Sequence, residues 1–171
     1  MLRKLPNLVK LTFTLLIGGL LFTACDDDSS SPSIDFNVLE TIQSQDNLSS
    51  FDGLISEYEL ADTLAKDNPH TVFAPTDNTL DGAGLDELSE DEILELLKYH
   101  IVPQDLSFED LQEIETLETL SGAELQLSFE NDTLSINEGQ VIITGSGLDA
   151  SNGTVFKTDS VLTPEVQEAT F

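Results

Sequence analysis

The chain has 171 residues, with 33 acidic against six basic side chains, a formal net charge of −27 with both histidines neutral, one cysteine and no tryptophan. A single domain is the default at this length. The charge opposes contact with nucleic acid and with anionic lipid head groups, and a lone cysteine excludes an intrachain disulfide.

Residues 1–24 hold Arg3, Lys4 and Lys10 and no acidic residue, and Leu11 to Phe22 are almost entirely apolar or small. That order predicts a secretory signal over 1–24, since the apolar run is too short and wrongly flanked for a membrane span. Leu21-Phe22-Thr23-Ala24-Cys25 resembles a bacterial lipobox, which implies that Cys25 is lipidated and becomes the first residue of the mature chain. The alternative is a chance cysteine beside an ordinary cleavage site. Residues 25–33 then form the lipidated cysteine and an acidic, serine-rich tether, Asp26 to Ser33, that cannot build a core. Acidic residues directly after such a cysteine resemble a surface-export signal in some Gram-negative lineages and a retention signal in others. The expected location is therefore the cell envelope, lipid-anchored, at the outer membrane or cell surface, with the leaflet open. Without the leader, 33 acidic residues face three basic ones, Lys66, Lys98 and Lys157. Such a surface is either a solvated coat or one that attracts divalent cations or a basic partner.

The domain occupies residues 34–171. Two helices are expected between Ile34 and Lys66. Phe36, Leu39 and Ile42 mark the first, and Phe51, Leu54, Ile55, Tyr58, Ala61 and Leu64 mark a second, capped by Asn47 or Ser49. Asp67-Asn68-Pro69 ends it and leads into a strand from Thr71. Val72 and Phe73 are adjacent, so they face opposite sides of that strand and both belong in a core. Pro75 stops the strand, and Asp77 is the expected cap of the turn that follows. Asp81-Gly82-Ala83-Gly84 is a loop lacking the Asp-x-Asp-x-Asp-Gly order of a calcium-binding hand. Ser89-Glu90-Asp91-Glu92 is a capping box for a helix carrying Ile93, Leu94, Leu96, Leu97, Tyr99 and Ile101, closed by Pro103. Ser107 to Gln112 forms one more helical turn.

Beyond it the apolar period changes from 3.6 to 2. Strands are expected at Leu125–Phe129 and Leu134–Ile136, with two more at Val141–Ile143 and from Val155-Phe156 through Val161-Leu162. Asn131-Asp132 and Glu138-Gly139 supply hairpin turns. Helices first and antiparallel strands after them define an α+β fold.

Three segments in order resemble the signatures of the fasciclin domain: Thr71-Val72-Phe73-Ala74-Pro75-Thr76-Asp77; Leu97-Lys98-Tyr99-His100-Ile101-Val102-Pro103; and Ala150-Ser151-Asn152-Gly153 leading to Asp159-Ser160-Val161-Leu162. The resemblance runs from about Asn47 to Pro164. It implies a fasciclin-like β-sandwich wedge with helices packed against it, present as a single copy. In that family a Tyr-His pair flanked by bulky apolar residues is linked to cell adhesion, which makes Tyr99 and His100 candidate binding residues. Their alternative is a place in the core, because Leu96, Leu97, Ile101 and Val102 are core-type flanks. The chain departs from the pattern in three places. Gly147-Leu148 stands where an Asp-Ile adhesion pair aligns, Val155-Phe156 where an Ile-His pair is usual, and Leu80 where a Phe is common.

Catalysis has no visible footing. His70 and His100 are in no metal-ligand spacing, and neither a Gly-x-Ser-x-Gly nor a phosphate-cradling glycine loop occurs. The expectation is a protein that is not an enzyme, with no metal and no cofactor, joined to the membrane by its lipid anchor only. It binds protein or polysaccharide at the cell surface in adhesion, or alternatively acts as an accessory lipoprotein in envelope assembly.

Overall fold

The computed structural model describes residues 36–130, 133–137, 141–143 and 147–164. The leader, Cys25, the tether and the turns expected at Asn131-Asp132 and Glu138-Gly139 lie outside the described residues.

The described residues form two four-stranded sheets and six short α-helices. The helices are α1 (Val38–Gln43), α2 (Ser49–Glu57), α3 (Ala61–Leu64), α4 (Asp77–Asp81), α5 (Glu90–Tyr99) and α6 (Phe108–Glu113). The strands are β1 (His70–Pro75), β2 (Ile101–Val102), β3 (Thr116–Glu118), β4 (Glu124–Glu130), β5 (Thr133–Ile136), β6 (Val141–Ile143), β7 (Leu148–Ala150) and β8 (Gly153–Thr158). One sheet runs β2-β1-β8-β7, and the other β3-β4-β5-β6. This is the expected α+β wedge.

The first sheet separates two cores, as adjacent Val72 and Phe73 require. Phe73 and Phe156, partners in the β1–β8 register, stack at 5.9 Å and meet Leu125, Leu127, Leu134 and Ile136 of the second sheet. Val72, Ala74 and Val155 face the other way, onto Val38, Ile42, Leu48, Phe51 and Ile55 of the helical layer. A strand flanked by cores on both faces has no polar side, so β1 is buried along its whole length.

Several boundaries differ from expectation for local reasons. Asn37 caps α1 in a reciprocal box with Glu40, so Phe36 lies before the helix and is 57 % exposed, and Val38 with Ile42 form the buried stripe instead. The second expected helix is broken. Glu59 takes φ +57, and the Leu60 N–H donates to Ile55 O at 2.9 Å, which closes α2 with a left-handed cap and starts α3 on a new axis. Neither Asn47 nor Ser49 caps α2, whose N-terminus receives no local side chain. The α5 capping box of Ser89 and Glu92 forms, but the helix ends at Tyr99 and Ile101-Val102 pair antiparallel with β1. Finally, β1 and β8 pair in parallel through six residues, whereas only antiparallel strands were expected. The last strand, β8, ends at Thr158 and does not reach Val161-Leu162, and β7, antiparallel beside it, was not expected.

Candidate functional site

The three signature segments meet in and around the first sheet, and several of their polar side chains are turned inward. Asn152, just before β8, is 8 % exposed. Its Oδ1 accepts the Val38 N–H at 2.7 Å, its Nδ2 donates to Leu64 O at 2.9 Å and Lys66 O at 2.5 Å, and its own carbonyl accepts the His70 N–H at 2.9 Å. One amide thus ties the start of α1 and the end of α3 to the first sheet. Gly153 follows with φ +149, and a Cβ there would stand 1.7 Å from His70 O, so the close approach of β1 to β8 requires glycine.

Thr71 holds the next loop. Its Oγ1 donates to Gln104 O at 2.8 Å and accepts the Leu106 N–H at 2.9 Å, which fixes the turn between β2 and α6. Asp77 does not cap its own turn. The N-cap of α4 is Thr76, without a side-chain cap bond. Asp77 reaches instead to the uncapped end of α2, where Ser49 Oγ donates to Oδ2 and the Ser50 N–H to Oδ1, each at 2.8 Å. The Ser50 N–H is the main reason its carboxyl sits below the usual Asp range.

Tyr99 and His100 are both enclosed, 1 % and 0 % exposed. Tyr99 Oη donates to Glu124 O at 3.1 Å and accepts from Asn137 Nδ2 at 2.9 Å. His100 Nδ1 lies 2.8 Å from Leu96 O, and its Nε2 accepts the Leu162 N–H at 2.9 Å. Those two partners select the neutral tautomer with the proton on Nδ1. Burial pushes the ring down to about 4. The pair therefore clamps α5 to the second sheet on one side and to the segment around Leu162 on the other. Asn137, which the sequence reasoning passed over, completes the Tyr99 link from a backbone with φ +50. The available signal was an Asn directly after an alternating strand, a residue that tolerates this conformation. Burial also lowers His70, which sits in β1 at 3 % exposure.

Asp77 and Asp81 build no cation site. Among the described residues no three His, Cys, Asp or Glu side chains converge on a point suited to a metal ion. No helix among them is long and apolar enough to cross a membrane.

A two-sheet wedge whose signature residues knit its own layers together defines a scaffold module. The chain belongs to the fasciclin domain family, whose model matches residues 46–164. It is 30 % identical over 151 residues to transforming growth factor-beta-induced protein ig-h3 of Oryctolagus cuniculus, covering 85 % of this chain and 21 % of that one. It is 27 % identical to protein sll1483 of Synechocystis, over 74 % of this chain and 73 % of the other. The fold also matches a FAS1 domain pair from the insect cell adhesion molecule fasciclin I, with a TM-score of 0.64 at 17 % identity, over 76 % of this chain and 51 % of that one. The chain thus spans about a fifth of the rabbit relative's length.

Proposed function

We propose that the protein is a non-catalytic, lipid-anchored envelope module that binds protein or polysaccharide at the cell surface in adhesion. The observation that carries this reading is the inward use of the signature residues. Asn152, Thr71, Tyr99 and His100 all bond to the protein's own backbone or side chains, which leaves the outer faces of the sheets and helices for contact. Membership of the fasciclin family supports the same role. Anchoring rests on the basic, apolar and small-residue order of residues 1–25, with Cys25 as the lipid-bearing residue and Asp26 to Ser33 as the tether.

The test pairs fractionation with attachment. Wild type should partition with membranes, and Cys25→Ala should be released or left uncleaved. Cells displaying the wild type should attach to matrix or to one another more than cells lacking it. Attachment that vanishes only when other envelope proteins are deleted would favour the accessory role in assembly. A Cys25→Ala protein still processed and membrane-bound would refute the anchor.

A further inference from the structure

We infer that the free edge of β4 beyond β3 is a docking groove for an extended, basic peptide segment, which adds to the second sheet as a strand. β3 covers β4 only from Glu124 to Gln126. The last bond on that side runs from the Leu127 N–H to Glu115 O at 2.8 Å, after which the chain turns away through Ile114 into α6. On the other side β5 pairs with β4 as far as Glu130. Asn137 N–H donates to Gln126 O, so Gln126, Ser128 and Glu130 point their backbone groups at β5. The same alternation turns the N–H and C=O of Phe129 toward the side β3 has vacated. A cleft of about 540 Å³ opens there, between Gln112–Thr116 and Gln126–Glu130. An unpaired edge beside a cleft is the geometry of strand addition.

The lining chooses the occupant. Glu113, Glu115 and Glu130 border the cleft, and no Lys or Arg does. Phe129 is 37 % exposed at its mouth, edge-on to Phe108 at 6.4 Å. A second copy of this chain would set its own acidic edge against these carboxylates, and in a chain of net charge −27 that pairing is repulsive. A strand alternating Lys or Arg with apolar residues satisfies the backbone, the carboxylates and the ring together. The inference uses the protein as a binding module and is independent of the lipid anchor.

The probe is a blocked Lys-Val-Lys-Val-Lys peptide added to the full chain, followed by residue-resolved hydrogen exchange. A peptide of equal charge, N-methylated at the residues facing β4, is the control. The expected result is at least about tenfold slower exchange of the Phe129 amide at saturation, with the methylated peptide about tenfold weaker or more. Phe129→Ala should retain part of the binding, while Phe129→Pro, which removes an N–H that is not directed at β5, should lose it. If Phe129→Pro does not fold, the exchange comparison on wild type decides alone. Equal binding of both peptides, or protection away from Phe129, would show counterion attraction only and overturn the groove. Failure of the peptide while displayed protein still promotes attachment would overturn the groove and leave the adhesion role standing.

Discussion

Asp77 caps a helix that it does not precede: its Oδ1 accepts the Ser50 N–H at 2.8 Å, across 27 residues of sequence, at the start of α2. The bond joins the turn after β1 to the helical layer, and Ser49 Oγ adds a second contact to the same carboxylate. A charge at a helix N-terminus also meets the positive end of the dipole.

Asp77→Ala should therefore loosen α2 rather than α4. Hydrogen exchange should speed at Ser50 to Gly53, with little change at Asn78 to Leu80, and the melting temperature should fall. Asp77→Asn, which keeps an acceptor oxygen, should recover part of the loss. Faster exchange confined to α4 would return Asp77 to the local role.

The Asn152-Gly153 pair should be the least replaceable point in the domain. Asn152→Ala strands the Val38 N–H and the Leu64 carbonyl in a buried place, at roughly 1–3 kcal/mol for each group left unpaired, and also removes the half-buried bond to Lys66 O. Asn152→Asp keeps the acceptor for Val38 but sets a carboxylate against two carbonyls, so it should do no better. Gly153→Ala drives a methyl group into His70 O and should part β8 from β1. Denaturation that finds Gly153→Ala as stable as wild type would mean that the seam yields more readily than its geometry allows.

Phe73→Ala addresses the inter-sheet core. Phe73 is fully buried against Phe156 and the second sheet, so truncation should cost roughly 3–5 kcal/mol. A domain of this size holds only about 5–15 kcal/mol in total. Chemical denaturation should place the variant near its limit, and a change below about 1 kcal/mol would contradict the packing.

What could be seen in the sequence follows the range of the interactions. The α5 and α6 boxes of Ser89 with Glu92 and Ser107 with Asp110 close within three residues, and both helices begin where these motifs stand. The burial of Val72 and Phe73 on opposite faces was equally plain, because adjacent apolar residues in a strand have no other reading. The parallel pairing of β1 with β8 was hidden, since its partners lie some 80 residues apart and periodicity carries no strand direction. The break at Glu59 was hidden as well. Its apolar neighbours keep helical spacing on both sides, and a glutamate gives no warning of positive φ. At the candidate site, the signature residues were identified but not their partners: Asn152 with Val38 and His100 with Leu162 are long-range choices made by packing.

His100 offers the sharpest test, because its two partners demand an uncharged ring. In the fold the ring titrates at about 4, against an ordinary value of 6.5 in the unfolded chain. Above about pH 6.5 it is neutral in both states and its contribution is complete. As pH falls below that value, the unfolded chain takes up a proton that the folded ring refuses, so stability declines toward pH 4 and then levels off. Between pH 7 and pH 5 the loss should be about 2 kcal/mol. His70, also lowered by burial, acts in the same direction. Asp77, Glu92 and Asp110 are held below their ordinary values, and their contributions fade only at more acid pH. Of these five groups, the two histidines are the ones that act between pH 7 and pH 5. His100→Gln removes one titration, and its carbonyl and amide can serve Leu162 and Leu96 in part. That variant should be less stable at pH 7 but should lose less on going to pH 5 than wild type does. The first bond to open in wild type should be Leu162 N–H to Nε2, seen as faster exchange of the Leu162 amide. Equal pH slopes in wild type and His100→Gln would show that the ring is not the group whose protonation loosens the fold.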